Sequence, residues 1–591
     1  MNFSLYYRKI KNEELFKSLE KSSFQLTNLQ NYVPLYENFF SLNATNYNSI
    51  NLNQKYYFTS IKEEVDRNSV IAVLSDNSDN TIEKPLFCKF SPLLDPLKVL
   101  AGKYDVPKSE LIQLPKFNDN TCFPKILDKN NSAYIDSFFT YLSSQLLHNY
   151  NYIHAIDYYG SYLATQRKFS YNIADDIDYL NETDYFHENK DVVYTIDNSE
   201  HSNIFNMDSR CNKQKILIAE KIDLLNIDRI EDALSIEIPV KNDLEYADTP
   251  IDISNVCIYS HSIKSTQFSD SISSCSSKSS NTTDGDEQVA TNDESNNDES
   301  NNDETDNDNH ELDDNPVDSP TDDDSNDNSS FDDDTEDNII CSIFDFPVQV
   351  ITMEKCENTL DYLLENELLD TSGWVSCLFQ IIMTLSVYQK AFSFTHNDLH
   401  TNNIMYNTTK KQFIHYCFNG VYYKVPTYGK IYKIIDFGRA IYKFNGKLLC
   451  SDSFHPSGDA GSQYNCEPYF NENKPRLEPN FSFDLSRLAC CLFDYFVVDI
   501  NDTNEIIKQN KLANLIYTWL VDDKGRNILY KTSGEERYPE FKLYKMIART
   551  IHGAVPSKQL NNVVFKDYIV DKKKINKNHT IINCDNIPNF C

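Results

Sequence analysis

The chain has 591 residues, with 55 Lys and Arg against 89 Asp and Glu, a formal charge of −34 at pH 7. That balance excludes the simplest nucleic-acid-coating role, which needs a basic surface. Length gives a soft expectation of about three to four domain-sized units, and 40% apolar residues suffice for a sizeable core. The 65 Asn, 38 Tyr and 35 Phe are residues that AT-rich codons specify, so genome bias accounts for much of this composition.

In chain order, residues 1–60 are aromatic, Asn-rich and weakly periodic, and read as an N-terminal extension packed on the downstream segments. Two apolar, β-prone runs at 70–74 and 86–90 flank a polar turn, which predicts a hairpin. Residues 132–147 change to helical spacing, with Tyr134, Phe138, Tyr141 and Leu142 on one side. Residues 153–165 return to strand, interrupted by Gly160. Residues 166–264 read as an inserted region with one apolar strand candidate at 216–219.

The stretch 265–340 is different in kind. From Asn281 to Ile340 it holds 24 Asp and Glu and no Lys or Arg, so it carries −24 of the −34 and leaves −10 for the rest. It includes the repeat NDESN-NDESN-NDETD at 292–306. With little to bury and strong self-repulsion, it cannot offset its ordering entropy and is expected to be disordered. It reads either as an acidic tract for a binding partner or phosphorylation, or as a solvated insertion grown by repeat slippage.

Beyond it, PVQVITM at 347–353 predicts a buried strand, and 359–366 and 374–392 predict helices. The remainder to about 568 reads as mostly helical, with an aromatic segment at 413–432 that reads as an extra hairpin and an irregular interval at 440–482, and 576–591 as a C-terminal tail. Strands with one helix first and helices later imply an α+β protein in two lobes. The 15 cysteines are scattered without a C-x-x-C pair, which fits an intracellular, reducing compartment. The first residues lack the apolar run of a signal peptide, and the span 374–388 is too short and interrupted to cross a bilayer, so a soluble protein that is not secreted is expected.

The most informative stretch is F-T-H-N-D-L-H-T-N-N at 394–403. An apolar helix runs into His396-x-Asp398, and Asn403 follows five residues after the Asp. Downstream, an apolar strand ends in Asp436-Phe437-Gly438. H-x-D-x4-N alone would arise by chance about once in ten such chains; with D-F-G within forty residues the pair falls to roughly 0.0005. The pair resembles the catalytic loop and metal-binding motif of the protein-kinase superfamily. That resemblance implies a two-lobed kinase-like fold, with a small β-rich N-lobe over 61–165, a hinge and larger helical C-lobe over 341–575, and long insertions.

Phosphoryl transfer needs positioning and charge neutralisation more than covalent help. By resemblance, Asp398 orients the attacking hydroxyl and accepts its proton late. Asn403 and Asp436 offer the hard oxygens that Mg2+ prefers, Gly438 lets the backbone turn sharply, and His396 packs beneath the loop. Lys89, in the strand L-F-C-K-F, matches the lysine that holds the ATP phosphates, although a lone strand lysine is ordinarily solvated. Its acidic partner on the next helix would be Asp136, one methylene shorter than the usual Glu. The strand at 347–353 followed by Glu354 and Cys356 looks like a hinge, with Met353 as gatekeeper and backbone groups of Glu354 and Cys356 on the adenine edge; a plain core strand is the alternative. Asp484, opening F-D-L-S-R-L-A, matches a buried Asp that accepts backbone hydrogen bonds from the catalytic loop, against an ordinary N-terminal capping Asp.

Three departures stand out. No Gly precedes Gly102, so no glycine-rich loop covers the phosphates. His400 stands where Ser/Thr kinases carry Lys, as a weaker, titratable cation. No A-P-E closes the segment after D-F-G. The strings FSPLLDP at 90–96, KIIDFGRAI and SFDLSRLA, with the Asn/Tyr/Phe bias, look like the kinase-like proteins of large DNA viruses, which would place the protein in host cytoplasm or virion. The expectation is an atypical ATP- and Mg2+-dependent protein kinase acting on Ser/Thr of a protein substrate, engaging neither nucleic acid nor membrane. The alternatives are a catalytically dead kinase-like scaffold and a small-molecule phosphotransferase.

Overall fold

The structure, a computed structural model, describes residues 3–118, 121–196 and 339–591. The strand expected at 216–219 and the acidic tract up to residue 338 lie outside the described residues. The protein is mixed α+β, β-rich in its N-terminal region and helical toward its C-terminus.

Helix α1 (Glu13–Lys21) precedes strand β1 (Leu26–Gln30). Strands β2 (Tyr56–Glu64), β3 (Ser69–Asp76) and β4 (Thr81–Pro92) follow, then helix α2 (Ser132–Tyr150). Strands β5 (Tyr158–Asn172), β6 (Tyr194–Ile196) and β7 (Ile340–Glu354) complete an antiparallel sheet ordered β1-β5-β7-β4-β3-β2, with β6 pairing β7. The hairpin expected from the runs at 70–74 and 86–90 is β3–β4, and it places Lys89 opposite Ile351 of β7.

Two boundaries differ from the sequence expectation. The first 60 residues are not an extension, since β1 is hydrogen-bonded to β5 with Leu26 opposite Gln166. Its sequence LTNLQ hides the strand because Asn28 takes φ 56° and the register shifts between Thr27 and Gln30, which breaks the alternation of a regular strand. The sheet also continues past residue 165: β5 runs to Asn172, and Ile196 of β6 faces Cys341 of β7. Residues 197–338 therefore join neighbouring strand positions, a place where a long insertion costs little closure entropy.

After β7 comes helix α3 (Thr371–Phe392), then β8 (Ile404–Thr408), β9 (Phe413–Phe418), β10 (Val421–Pro426) and β11 (Lys430–Ile434). Residues 404–434 are thus strands, with β8 antiparallel to β11, and the hairpin β9–β10 turns on Asn419 (φ 51°) and Gly420 (φ 75°), the residue types a two-residue turn requires. Helices α4 (Phe483–Phe496) and α5 (Phe541–Thr550) lie beyond. The residues read as a tail are built in: Ile581 pairs with His415 of β9, and the Phe590 ring stacks on Phe392 at 5.3 Å.

Two buried helices form the centre. In α2 the side chain of Asn131 accepts the Ala133 amide at 3.1 Å, Asn151 ends the helix at φ 62°, and every side chain from Ala133 to Leu146 is buried. Helix α3 is longer than 374–392 and starts on Asp370, whose carboxylate accepts the Gly373 amide at 2.7 Å. Its 22 residues are long and apolar enough to cross a membrane, yet most of them are buried in protein. Thr384 and Ser386 are tolerated there because their hydroxyls donate to the Gln380 and Ile382 carbonyls at 2.8 and 2.7 Å.

His154 joins the sheet region to the β9 hairpin. Its Nδ1–H donates to the Tyr432 carbonyl at 2.9 Å and its Nε2 accepts the Tyr416 hydroxyl at 2.6 Å. Burial pushes its pKa down to about 4. The unfolded chain therefore takes up a proton first as pH falls, and stability drains away below the ordinary His value. Between pH 7 and 5 this site alone removes about 2 kcal/mol. Urea unfolding of wild type and His154→Phe at both pH values should show that much less acid sensitivity in the variant; equal slopes would refute the assignment.

Candidate functional site

The loop at 394–403 is held from below by α4. The buried carboxylate of Asp484 accepts the His396 amide at 3.0 and 3.1 Å and the Asn397 amide at 2.9 Å. Ser482, not Asp484, occupies the helix N-cap, so the capping alternative is set aside. His396 Nδ1 accepts the Asp398 amide at 3.3 Å, and Nε2–H donates to the Ile435 carbonyl at 2.9 Å, which fixes its tautomer and its structural role. Asn397, which sequence reasoning passed over, is a buried knot at φ 64°: its Nδ2 donates to the Arg439 carbonyl at 3.0 Å and its Oδ1 accepts the Tyr464 hydroxyl at 2.8 Å. Asn tolerates this left-handed backbone where most residues would not.

On the sheet side, Lys89 Nζ lies 2.7 Å from Asp136 Oδ2 and 2.8 Å from Asp436 Oδ1. Asp136 also accepts the Phe437 amide at 2.9 Å, so one carboxylate of α2 fixes both the lysine and the D-F-G backbone. Burial works against ionisation of both acids. It raises the pKa of Asp136, whose side chain is 3% exposed, whereas Asp436, 25% exposed, is held below the usual range because the Lys89 ammonium outweighs burial. The D-F-G turn is made by Asp436 itself at φ 61°, not by Gly438. A Cβ added at Gly438 would meet only Asp436 Oδ1, at 3.4 Å, about an ordinary van der Waals contact.

Asn403 and Asp436 are brought to one end of the β8–β11 pair, where Ile404 faces Ile434 and the Ile435 amide donates to the Asn403 carbonyl at 3.0 Å. Asn403 Nδ2 donates to the Asp398 carbonyl at 2.9 Å and to His400 Nε2 at 3.0 Å, and its Oδ1 accepts no hydrogen bond among the described residues. An ionised carboxylate beside an unpartnered amide oxygen suits a hard cation such as Mg2+. Among the described residues no cluster of three His, Cys, Asp or Glu could hold a metal, so this pair would need oxygens from a ligand or water to complete a shell.

Asp398 is 22% exposed and its Oδ1 accepts the Tyr544 hydroxyl at 3.1 Å, with Arg439 Nη1 at 3.7 Å. Burial would raise its pKa, but Arg439 above all, then His400 and Arg487, hold it at about 2. His400 corrects the sequence expectation of a cation. Burial lowers its pKa and its Nε2 accepts a hydrogen bond, so it is neutral at pH 7, where the positive charge near Asp398 comes from Arg439 and Arg487; His400 adds to theirs only once protonated in acid.

The stretch at 353–356 is partly committed. The Glu354 amide donates to the Asp157 carbonyl at 2.9 Å, and its carboxylate accepts the Asp157 amide at 3.0 Å and pairs with buried Lys433. Of the backbone groups of Glu354 expected on the adenine edge, the amide is thus spent within the fold. Cys356 is buried and its thiol is pushed up to about 12 by burial. The turn at 65–68 between β2 and β3 spends three of its four amides internally: Val65 and Asp66 donate to the Ser69 carbonyl at 2.9 and 3.2 Å, and Asn68 to Asp66 Oδ1 at 2.9 Å. Asp66 is tied across to Lys355 at 2.8 Å.

The chain is similar to the uncharacterized protein 098R of Invertebrate iridescent virus 6, with 26% identity over 228 residues, covering 34% of this chain and 37% of that protein. The chain therefore spans little more than a third of the length of that relative. No family model matches the chain.

Proposed function

We propose that this chain is an atypical protein kinase with a two-lobed kinase-like fold, transferring the γ-phosphate of ATP to Ser/Thr hydroxyls. One observation carries the reading: Lys89, Asp136 and Asp436, from three distant segments, form one ion-paired group, and Asn403, bonded to the Asp398 carbonyl, is tied through its own carbonyl to the Ile435 amide just before Asp436. Asp398, ionised and partly open, orients the acceptor hydroxyl and takes its proton as transfer completes. Lys89, steadied by Asp136, presents an ammonium to phosphate oxygens. Asn403 and Asp436 would hold Mg2+, which supplies neutralisation of phosphate charge when bound. The similarity to a viral protein agrees with a viral origin.

A second reading, a catalytically inactive kinase-like binding protein, is favoured by the turn at 65–68, three of whose four amides are consumed internally and which contains no glycine. Thermal unfolding tests the Mg-ATP site that the catalytic reading requires. Mg-ATP at a hundredfold excess over its Kd stabilises the native state by about 2.7 kcal/mol, a clear rise in Tm. The rise should require Mg2+ and vanish in Asp436→Ala; no rise in wild type would sink the catalytic reading.

A further inference from the structure

The face of α4 that carries Asp484 also carries Arg487, three residues on. Asp484 fixes the loop backbone. Arg487 acts on the loop side chain at one remove: its Nε–H donates to the Tyr544 hydroxyl at 2.8 Å, and that hydroxyl donates to Asp398 Oδ1 at 3.1 Å. The Tyr544 ring is held in place as well. The Arg487 and Arg439 guanidinium carbons lie 5.1 and 6.0 Å from its centroid, and Phe541 stacks on it at 5.5 Å with the planes 23° apart. Two groups thus converge on Oδ1, Tyr544 and Arg439, while Oδ2 has no hydrogen-bond donor among the described residues. Contacts on one oxygen restrict the rotation of the carboxylate, and its other oxygen remains for an incoming hydroxyl.

We propose that Tyr544, oriented by Arg487, is a positioning residue that locks Asp398 through Oδ1 so that Oδ2 meets the acceptor. The proposal rests on the phosphotransfer reading. Tyr544 touches neither nucleotide nor acceptor in this role, so its loss changes the turnover step and not the binding of either substrate. It also gives α5, a helix with no motif of its own, a task in the reaction.

The test uses the full chain, Mg-ATP and dephosphorylated casein, comparing wild type with Tyr544→Phe, which keeps the ring and removes the hydroxyl. The expected result is a fall in kcat of about tenfold, the size of one hydrogen bond to a charged group, with both KM values unchanged and a small fall in Tm from the Arg487 Nε–H left without its acceptor. Tyr544→Ala, which also loses the packing, should fall at least as far in kcat. An unchanged kcat in Tyr544→Phe would overturn the proposal. So would a raised kcat with a lower acceptor KM, which would mean that the phenol obstructs the acceptor instead. Failure of the phosphotransfer reading looks different: wild type itself would transfer no phosphate and show no Mg-ATP rise in Tm.

Discussion

Asp398→Asn is expected to lower phosphoryl transfer by about a hundred- to ten-thousandfold, the range for removing a positioned general base. The substitution isolates chemistry from structure. Asn keeps the size of the side chain and an oxygen that can still accept the Tyr544 hydroxyl, now 3.1 Å from Asp398 Oδ1. It cannot take a proton and carries no charge for Arg439, 3.7 Å away. Because Arg439, His400 and Arg487 hold the Asp398 pKa at about 2, the wild-type carboxylate is ionised throughout the pH range of an ordinary assay. Its protonation therefore sets no acid limb near neutrality. Lost transfer with a retained Mg-ATP rise in Tm is the signature; transfer within twofold of wild type would remove Asp398 from the reaction.

The second large effect is on folding. Asp484→Ala leaves the buried amides of His396 and Asn397, now bonded at 2.9–3.1 Å, without an acceptor. Each unsatisfied buried amide costs about 1–3 kcal/mol, so the variant should lose about 2–6 kcal/mol. The damage would not stay local, because His396 reaches the Ile435 carbonyl and Asn397 the Arg439 carbonyl on either side of D-F-G. Urea unfolding monitored by tryptophan fluorescence would measure it, since Trp374 and Trp519 are both buried in the core. A change below about 1 kcal/mol would mean that water or another group replaces the carboxylate.

Much of the cluster was legible in the sequence because it lies in short motifs. H-x-D-x4-N and D-F-G fix Asp398, Asn403 and Asp436 by spacing, and Lys89 by its place in an apolar strand. Asp136 was legible as the only acid in a helix otherwise meant for burial. What escaped depends on distant contacts. Tyr544 lies 146 positions from Asp398 in an Arg- and Lys-containing helix with no signature. The His400 charge is decided by burial and by the Asn403 amide, neither of which spacing reveals. Leu26–Gln30 and Ile581–Asn583 are strands only because an existing strand offers each a partner, β5 for the first and β9 for the second. Short polar segments have little pattern of their own to read.

The most direct measurement is transfer of label from γ-labelled ATP, by the purified full chain, to itself and to dephosphorylated casein. Wild type and Asp436→Ala would be assayed side by side, with and without Mg2+. Label transferred by wild type, dependent on Mg2+ and lost in Asp436→Ala, is the predicted result. No label with wild type, or equal label from Asp436→Ala, would contradict the account.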